Sequence, residues 1–273
     1  MKYLNISIPT VFNGVNFKVP ILGKTGYSNA FMTEIWMSGL LKNLLSLKEG
    51  VFIDVGVNIG QTLLKLRSID SEKEYFGFEP NPSCVQYTER LINQNKFKHS
   101  SIFPFGISNK SEIGVLNFFH QGDTDSTASI IPNFRLNQKI VKKQYVPLYD
   151  ISYFEKFIEG KSVSILKIDV EGAELEVLAS FSSLLEIYKP FLLIEILPAY
   201  DDSNKIRIDR QNEIKNILHD SDYSILRISK SKLRIDKFIP LDDFGIHSDL
   251  ALCDYVCVHK SYLKSLLSIN FSA

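Results

Sequence analysis

From Val51 to Leu197 the chain alternates short apolar runs with amphipathic stretches, a rhythm that restricts its fold more than any other feature. Residues 51–55, 75–79, 101–108, 162–169 and 191–197 read as buried strands. Residues 61–69, 82–95 and 171–188 carry helical spacing, and Pro82 is well suited to a first helical turn. Further on, 205–219 reads as a helix, and 223–228 and 255–259 as strands. Strands alternating with helices at this spacing imply βαβ units. The expected fold is a doubly wound, Rossmann-like α/β domain, mostly parallel, with helices on both faces. Right-handed crossovers in such a fold put the functional crevice at the carboxyl ends of the strands, where strand order reverses. Residues just after each strand are therefore the ones to search for chemistry.

The flanking regions have a different texture. Residues 5–20 suggest short strands around a turn at Asn13-Gly14, and 30–47 has helical spacing closed by Gly50. Residues 112–120 read as an extra strand and 122–148 as a polar, irregular insertion. The expected organisation is an extension over 1–49 that caps the acceptor side, one domain over 50–260, and a tail over 261–273. Lys plus Arg and Asp plus Glu each number 31, so the overall field favours neither nucleic acid nor an anionic membrane. Three cysteines in 273 residues make no disulfide framework and suit a reducing compartment. Cys253, Cys257 and His259 lack a fourth ligand at zinc spacing, and their apolar surroundings point to buried thiols. No secretory leader and no apolar run of about 18 residues is visible, so a cytoplasmic protein without a membrane span is expected.

Directly after the first strand of the alternating region stands Asp54-Val55-Gly56-Val57-Asn58-Ile59-Gly60-Gln61. A glycine-bearing turn between strand and helix lets backbone approach a ligand and aims helix N–H groups at it. The next strand ends in Phe78-Glu79-Pro80-Asn81, which puts an acidic residue where ribose hydroxyls are accepted in such folds. A nicotinamide binder normally carries G-x-G-x-x-G, but Asn58 stands in place of the second glycine, and Asp54 adds a carboxylate. Negative charge beside a pyrophosphate is unfavourable, whereas beside an amine and a sulfonium it is favourable. The turn therefore favours S-adenosylmethionine over NAD(P). An oxidoreductase on a similar fold and a non-catalytic S-adenosylmethionine-binding module are the competing readings.

The stretch from Val51 to Pro198 resembles the FkbM family of methyltransferases. The resemblance is carried by Asp54-Val55-Gly56-Val57-Asn58-Ile59-Gly60, Gly77-Phe78-Glu79-Pro80-Asn81-Pro82, Gly106-Ile107-Ser108, Ser126-Thr127-Ala128-Ser129, Lys167-Ile168-Asp169-Val170-Glu171-Gly172-Ala173-Glu174 and Leu193-Ile194-Glu195. It implies a seven-stranded sheet, S-adenosylmethionine as donor, and a hydroxyl on a sugar, glycan or secondary metabolite as acceptor. It also implies that Asp54, Gly56, Asn58, Gly60 and Gln61 hold the methionine portion. Glu79 would then take the ribose hydroxyls with Pro80 and Asn81 beside the adenosine, and Ile107 and Ser108 would lie near the adenine.

A second acidic group follows the later strands. Lys167 and Asp169 lie two apart and share a strand face, and Glu195 falls near the end of the next strand. Three readings of Asp169 compete. It is a general base for the acceptor hydroxyl, or with Glu195 or Glu171 it holds a divalent cation, or with Glu171 and Glu174 it stabilises a helix N-terminus. Lys167 pairs with one of these carboxylates. His120 is a further candidate base because its ordinary pKa lies near neutrality. Ser126, Thr127 and Ser129 lie in a segment that is either a lid over the crevice or a solvated loop. The Asp201-Asp202 pair reads as a solvated turn.

Overall fold

A computed structural model describes residues 5–31, 33–135 and 138–269. The chain opens with a hairpin, β1 (Asn5–Phe12) and β2 (Val15–Leu22). Its two-residue loop puts Asn13 and Gly14 at positive φ (46° and 79°), the twist-compatible arrangement for which Asn-Gly is favoured. Helix α1 (Ile35–Leu47) follows, then β3 (Val51–Val55), α2 (Gln61–Arg67), β4 (Tyr75–Phe78), α3 (Pro82–Asn95) and β5 (Ser100–Phe103). Next come β6 (Gly106–Ile107), β7 (Glu112–Phe118), β8 (Lys142–Tyr149), α4 (Glu155–Ile158), β9 (Val163–Ile168), α5 (Glu174–Tyr188) and β10 (Phe191–Glu195). The chain ends through α6 (Lys205–Asp220), β11 (Tyr223–Lys230), β12 (Ile235–Leu241), β13 (Asp254–His259) and α7 (Lys260–Leu267).

The main sheet runs β12-β11-β13-β10-β9-β3-β4-β5. Strands β10, β9, β3, β4 and β5 are mutually parallel, whereas β13 and the edge beyond it pair antiparallel. The sheet is doubly wound because its strands are apolar on both faces. Ile53, Val55, Leu166, Ile168, Leu192 and Ile194 pack with α5 and α6. Phe52, Ile165, Leu193 and Val256 pack with α1, α2 and α7. Strand order reverses at β3, which lies between β4 and β9, so the crevice opens above their carboxyl ends.

The structure departs from the sequence reading at the edges. β12 extends the seven strands to eight. The run 101–108 breaks after Phe103, and Gly106–Ile107 leaves the main sheet to pair with β8. β8 lies inside the stretch read as an irregular insertion, and with β6 and β7 it makes a separate three-stranded sheet. Within the tail, residues 260–267 are helical. The hairpin packs on α2 and α3 through Phe12, Phe17, Val19 and Ile21 against Leu64 and Leu91.

Candidate active site

Above the reversal point lies a cavity of about 240 Å³ bordered by the ends of β3, β4, β9 and β10 and by residues 125–130 of the connection between β7 and β8. Gly56, Asn58, Gln61, Glu79, Pro80, Asn81, Ile107, Lys167, Asp169 and Glu195 all line it. Asp54, Gly60, Ser108 and His120 do not line it.

One end of the cavity is built around Glu79. Its Oε2 accepts from the Asn58 N–H at 2.7 Å and its Oε1 from the Asn81 N–H at 2.8 Å. Burial outweighs those two hydrogen bonds and pushes the carboxyl up to about 7. Pro80, Ile107, Leu116, Ala128 and Ile130 supply apolar wall beside it. Asn58 adopts φ 48°, a left-handed conformation that asparagine tolerates better than most residues. The Asn81 side-chain amide donates to the Asp123 carbonyl at 2.7 Å and so ties this end to the β7–β8 connection.

The glycines serve the protein's own packing. A Cβ on Gly56, at φ 90°, would stand 1.8 Å from the Asp169 carbonyl oxygen, because the chain leaving β3 crosses the chain leaving β9 there. Gly60, also at positive φ, faces Leu91 and Thr88 of α3. These close approaches are within the protein, and Gly56 also borders the cavity.

Asp54 lies beneath the cavity and is fully buried. The Tyr75 hydroxyl donates to its Oδ2 at 2.7 Å, and its Oδ1 has no hydrogen bond but lies 3.6 Å from Lys167 Nζ. Lys167 Nζ also reaches Asp169 Oδ2 at 3.1 Å. Burial opposes the ammonium's charge, yet Asp169 and Asp54 outweigh it and hold the lysine above its ordinary pKa. Lys167 is thus a buried cation bridging the floor to the cavity wall. Glu195, on the neighbouring strand, is pushed well above the carboxylate range by burial and by the charges of Asp169 and Asp254.

His120 is a solvent-facing side chain whose Nδ1 lies 3.0 Å from Thr127 Oγ1, outside the cavity. Of the Asp169–Glu195 pair, Asp169 Oδ2 is taken by Lys167, and among the described residues no group of three or more His, Cys, Asp or Glu suits a metal ion. Asp169 does not open α5, which begins at Glu174; Glu174 Oε1 accepts from the Gly172 N–H at 2.8 Å. Glu171, at φ 54°, pairs with Arg135 at 2.5 Å.

Residues 54–225 match the methyltransferase FkbM domain. The chain belongs to that family. Among curated relatives, "Methyltransferase 1" of Beauveria bassiana is 23% identical over 145 residues, 48% of this chain and 57% of the relative. "Hexuronic acid methyltransferase AglP" of Haloferax volcanii is 26% identical over 186 residues, 66% of this chain and 71% of the relative. Among solved structures, methyltransferase FkbM from Methylobacillus flagellatus KT aligns at 15% identity with a TM-score of 0.45. That alignment covers 77% of this chain and 44% of the other. The chain therefore spans a little over half of the first curated relative and under half of that solved protein.

Two acidic lining residues of this FkbM-family chain escaped the sequence reading. Glu34 reaches the cavity from the turn before α1, paired with Lys65 at 3.0 Å. Nothing in the local sequence marks it, because its place depends on how α1 docks on the sheet. Asp125 accepts from the Thr127 hydroxyl and from the N–H groups of His120, Thr127 and Phe119; burial works against them, yet together they hold its carboxyl down at about 2. Asp125-Ser126-Thr127 is a recognisable side-chain-to-backbone turn, so that signal was present. Ser126 lines the cavity, whereas Ser129 is buried behind it.

Proposed function

We propose that this protein is an S-adenosylmethionine-dependent methyltransferase acting on a hydroxyl of a sugar-type acceptor. The observation that carries the reading is one cavity with two different ends at the strand-order reversal of an FkbM domain. The Glu79 end suits the nucleoside of the donor, with a carboxylate for ribose hydroxyls and Pro80, Ile107 and Leu116 against a base. Asp54 Oδ1, buried without a hydrogen-bond donor, adds negative charge under the floor, which suits a cationic ligand and disfavours a pyrophosphate. The residues present fit the group.

When bound, S-adenosylmethionine supplies an electrophilic methyl carbon and leaves as a neutral thioether. The protein's residues do the rest. Asp169 is held by Lys167 through Oδ2, and its Oδ1 takes the proton of the acceptor hydroxyl. Glu195, protonated near neutrality, donates a hydrogen bond to the acceptor or to Asp169. The walls exclude water and align the two reactants, an effect that reaches about 7–11 kcal/mol in well-positioned systems. Glu34 is the point at which the segment before residue 50 meets the acceptor. A sugar acceptor is supported by the similarity to the Haloferax volcanii protein, which is named for a hexuronic acid.

Calorimetric titration with S-adenosylhomocysteine tests the donor end. The wild-type protein binds it, and Glu79→Gln weakens binding by about 2 kcal/mol, roughly thirtyfold, as expected for a lost charge-assisted hydrogen bond. No binding by the wild type removes the reading.

A further inference from the structure

We propose that Asp54 is a positioning residue for the catalytic base: by sharing Lys167 with Asp169 it keeps that lysine from neutralising Asp169 and so preserves the base's affinity for the acceptor's proton. The inference rests on the methyltransferase reading. It assigns the carboxylate that opens the glycine-bearing turn to turnover rather than to holding the donor.

The sheet itself builds the array. Asp54 on β3 is the register partner of Lys167 on β9 and of Gly77 on β4, so these three positions share one face. Gly77 presents no side chain there. A Cβ on it would stand 2.9 Å from Tyr75 Cε1, because the Tyr75 ring lies across that place and brings its hydroxyl to Asp54 Oδ2. This contact leaves Oδ1, buried and without a hydrogen bond, to Lys167 Nζ at 3.6 Å. Lys167 Nζ lies nearer to Asp169 Oδ2, at 3.1 Å. One buried ammonium thus serves two carboxylates, and among the described residues it is the only cation lining the cavity. Burial raises the Asp54 carboxyl, while Lys167 and the Tyr75 hydroxyl work to keep it ionised.

The other acidic groups around Asp169 have partners of their own. Glu34 pairs with Lys65, Glu171 with Arg135 and Asp254 with Lys230. Glu79 and Glu174 accept backbone N–H groups, and Glu195, pushed well above the carboxylate range, carries little charge near neutrality. Asp54 is therefore the group that competes with Asp169 for Lys167. A neutral side chain at position 54 acts on Asp169 twice in one direction: it leaves Lys167 wholly to Asp169, and it removes a nearby like charge. Both favour the carboxylate, and a weaker base follows.

The test needs no acceptor. Aspartate labelled with carbon-13 at Cγ reports protonation by NMR across a pH titration, and the Asp169 signal is the one lost in Asp169→Asn. Asp54→Asn keeps an oxygen for Tyr75 or Lys167. It is expected to move the Asp169 midpoint down by about one pH unit, roughly tenfold in proton affinity. Its affinity for S-adenosylhomocysteine, measured by calorimetry, stays within about twofold of wild type. Lys167→Met moves the midpoint up, and in that background Asp54→Asn shifts it far less, since the lysine carries the coupling. Should Lys167→Met fail to fold, Asp54→Asn decides alone. A midpoint that Asp54→Asn leaves in place overturns the inference, and a loss of S-adenosylhomocysteine affinity of about tenfold or more makes Asp54 a donor-holding residue instead. A shift that persists undiminished without Lys167 overturns the route through the lysine. Failure of the wild type to bind S-adenosylhomocysteine removes the methyltransferase reading and this inference with it, whereas a fixed midpoint with binding intact removes the inference alone.

Discussion

Asp169 gives one carboxylate oxygen to Lys167, while its other oxygen has no hydrogen-bond donor among the described residues. That asymmetry separates two jobs. The held oxygen fixes the side chain, and the open one is available to a proton. Asp169→Asn keeps the shape and removes the basicity. Turnover is expected to fall about 10²–10³-fold, within the usual range for a general base. S-adenosylhomocysteine affinity should stay within about twofold, because Glu79 and not Asp169 builds the donor end. Single-turnover rates and calorimetry on the same variant check both halves. A parallel loss of donor affinity would place Asp169 in the donor cradle. Asp54 illustrates how far residue identity can be read without a structure. Its importance was visible in the sequence, but its role was not, since only the tertiary packing of Tyr75 and Lys167 shows it as the counter-ion beneath the floor.

At the scale of elements, the crossing of β3 and β9 explains why Gly56 must be glycine. Its φ of 90° is strained for any side chain, and the Asp169 carbonyl occupies the place a Cβ would take. Gly56→Ala should cost more than about 3 kcal/mol in urea unfolding and displace Asp169, so activity is lost along with stability. An unchanged midpoint would show that the two strand ends separate freely. The core strands were legible because they are buried on both faces and read as continuous apolar runs. The periphery was not. β12 reads Ile-Asp-Lys-Phe-Ile-Pro-Leu, with charges and a proline that suit an edge strand but hide it in sequence. β8, with its run of lysines, pairs through backbone that side-chain pattern does not report. The run 101–108 looked continuous because apolar residues persist across Pro104 while the chain changes sheet.

For the molecule as a whole, the crowding of carboxylates around one cavity sets how stability depends on pH. Glu79, Glu171 and Glu174 are each raised from an ordinary 4.5 to about 7, burial being the largest cause in every case. A carboxyl with a raised folded-state pKa binds more protons folded than unfolded between those two values. Its contribution is therefore fully present below about pH 4.5 and is lost as pH rises through 7. Asp125, held down at about 2, acts only in more acid solution and leaves this window alone. His247 and His259, lowered by their partial burial, work in the opposite sense near pH 6, but both keep solvent contact. These three glutamates, together with Glu195, which burial pushes higher still, should dominate. Thermal melts of the donor-free protein are expected to show the midpoint falling by about 5 °C or more between pH 5 and 7.5. Glu79→Gln should flatten part of that slope. S-adenosylmethionine should restore more stability at pH 7.5 than at pH 5.5, because the ionised Glu79 then faces a cationic ligand. A midpoint that stays level or climbs across this range would mean that these carboxylates reach water or find cations in solution, and Glu79 would then lack the buried setting that favours a cationic donor.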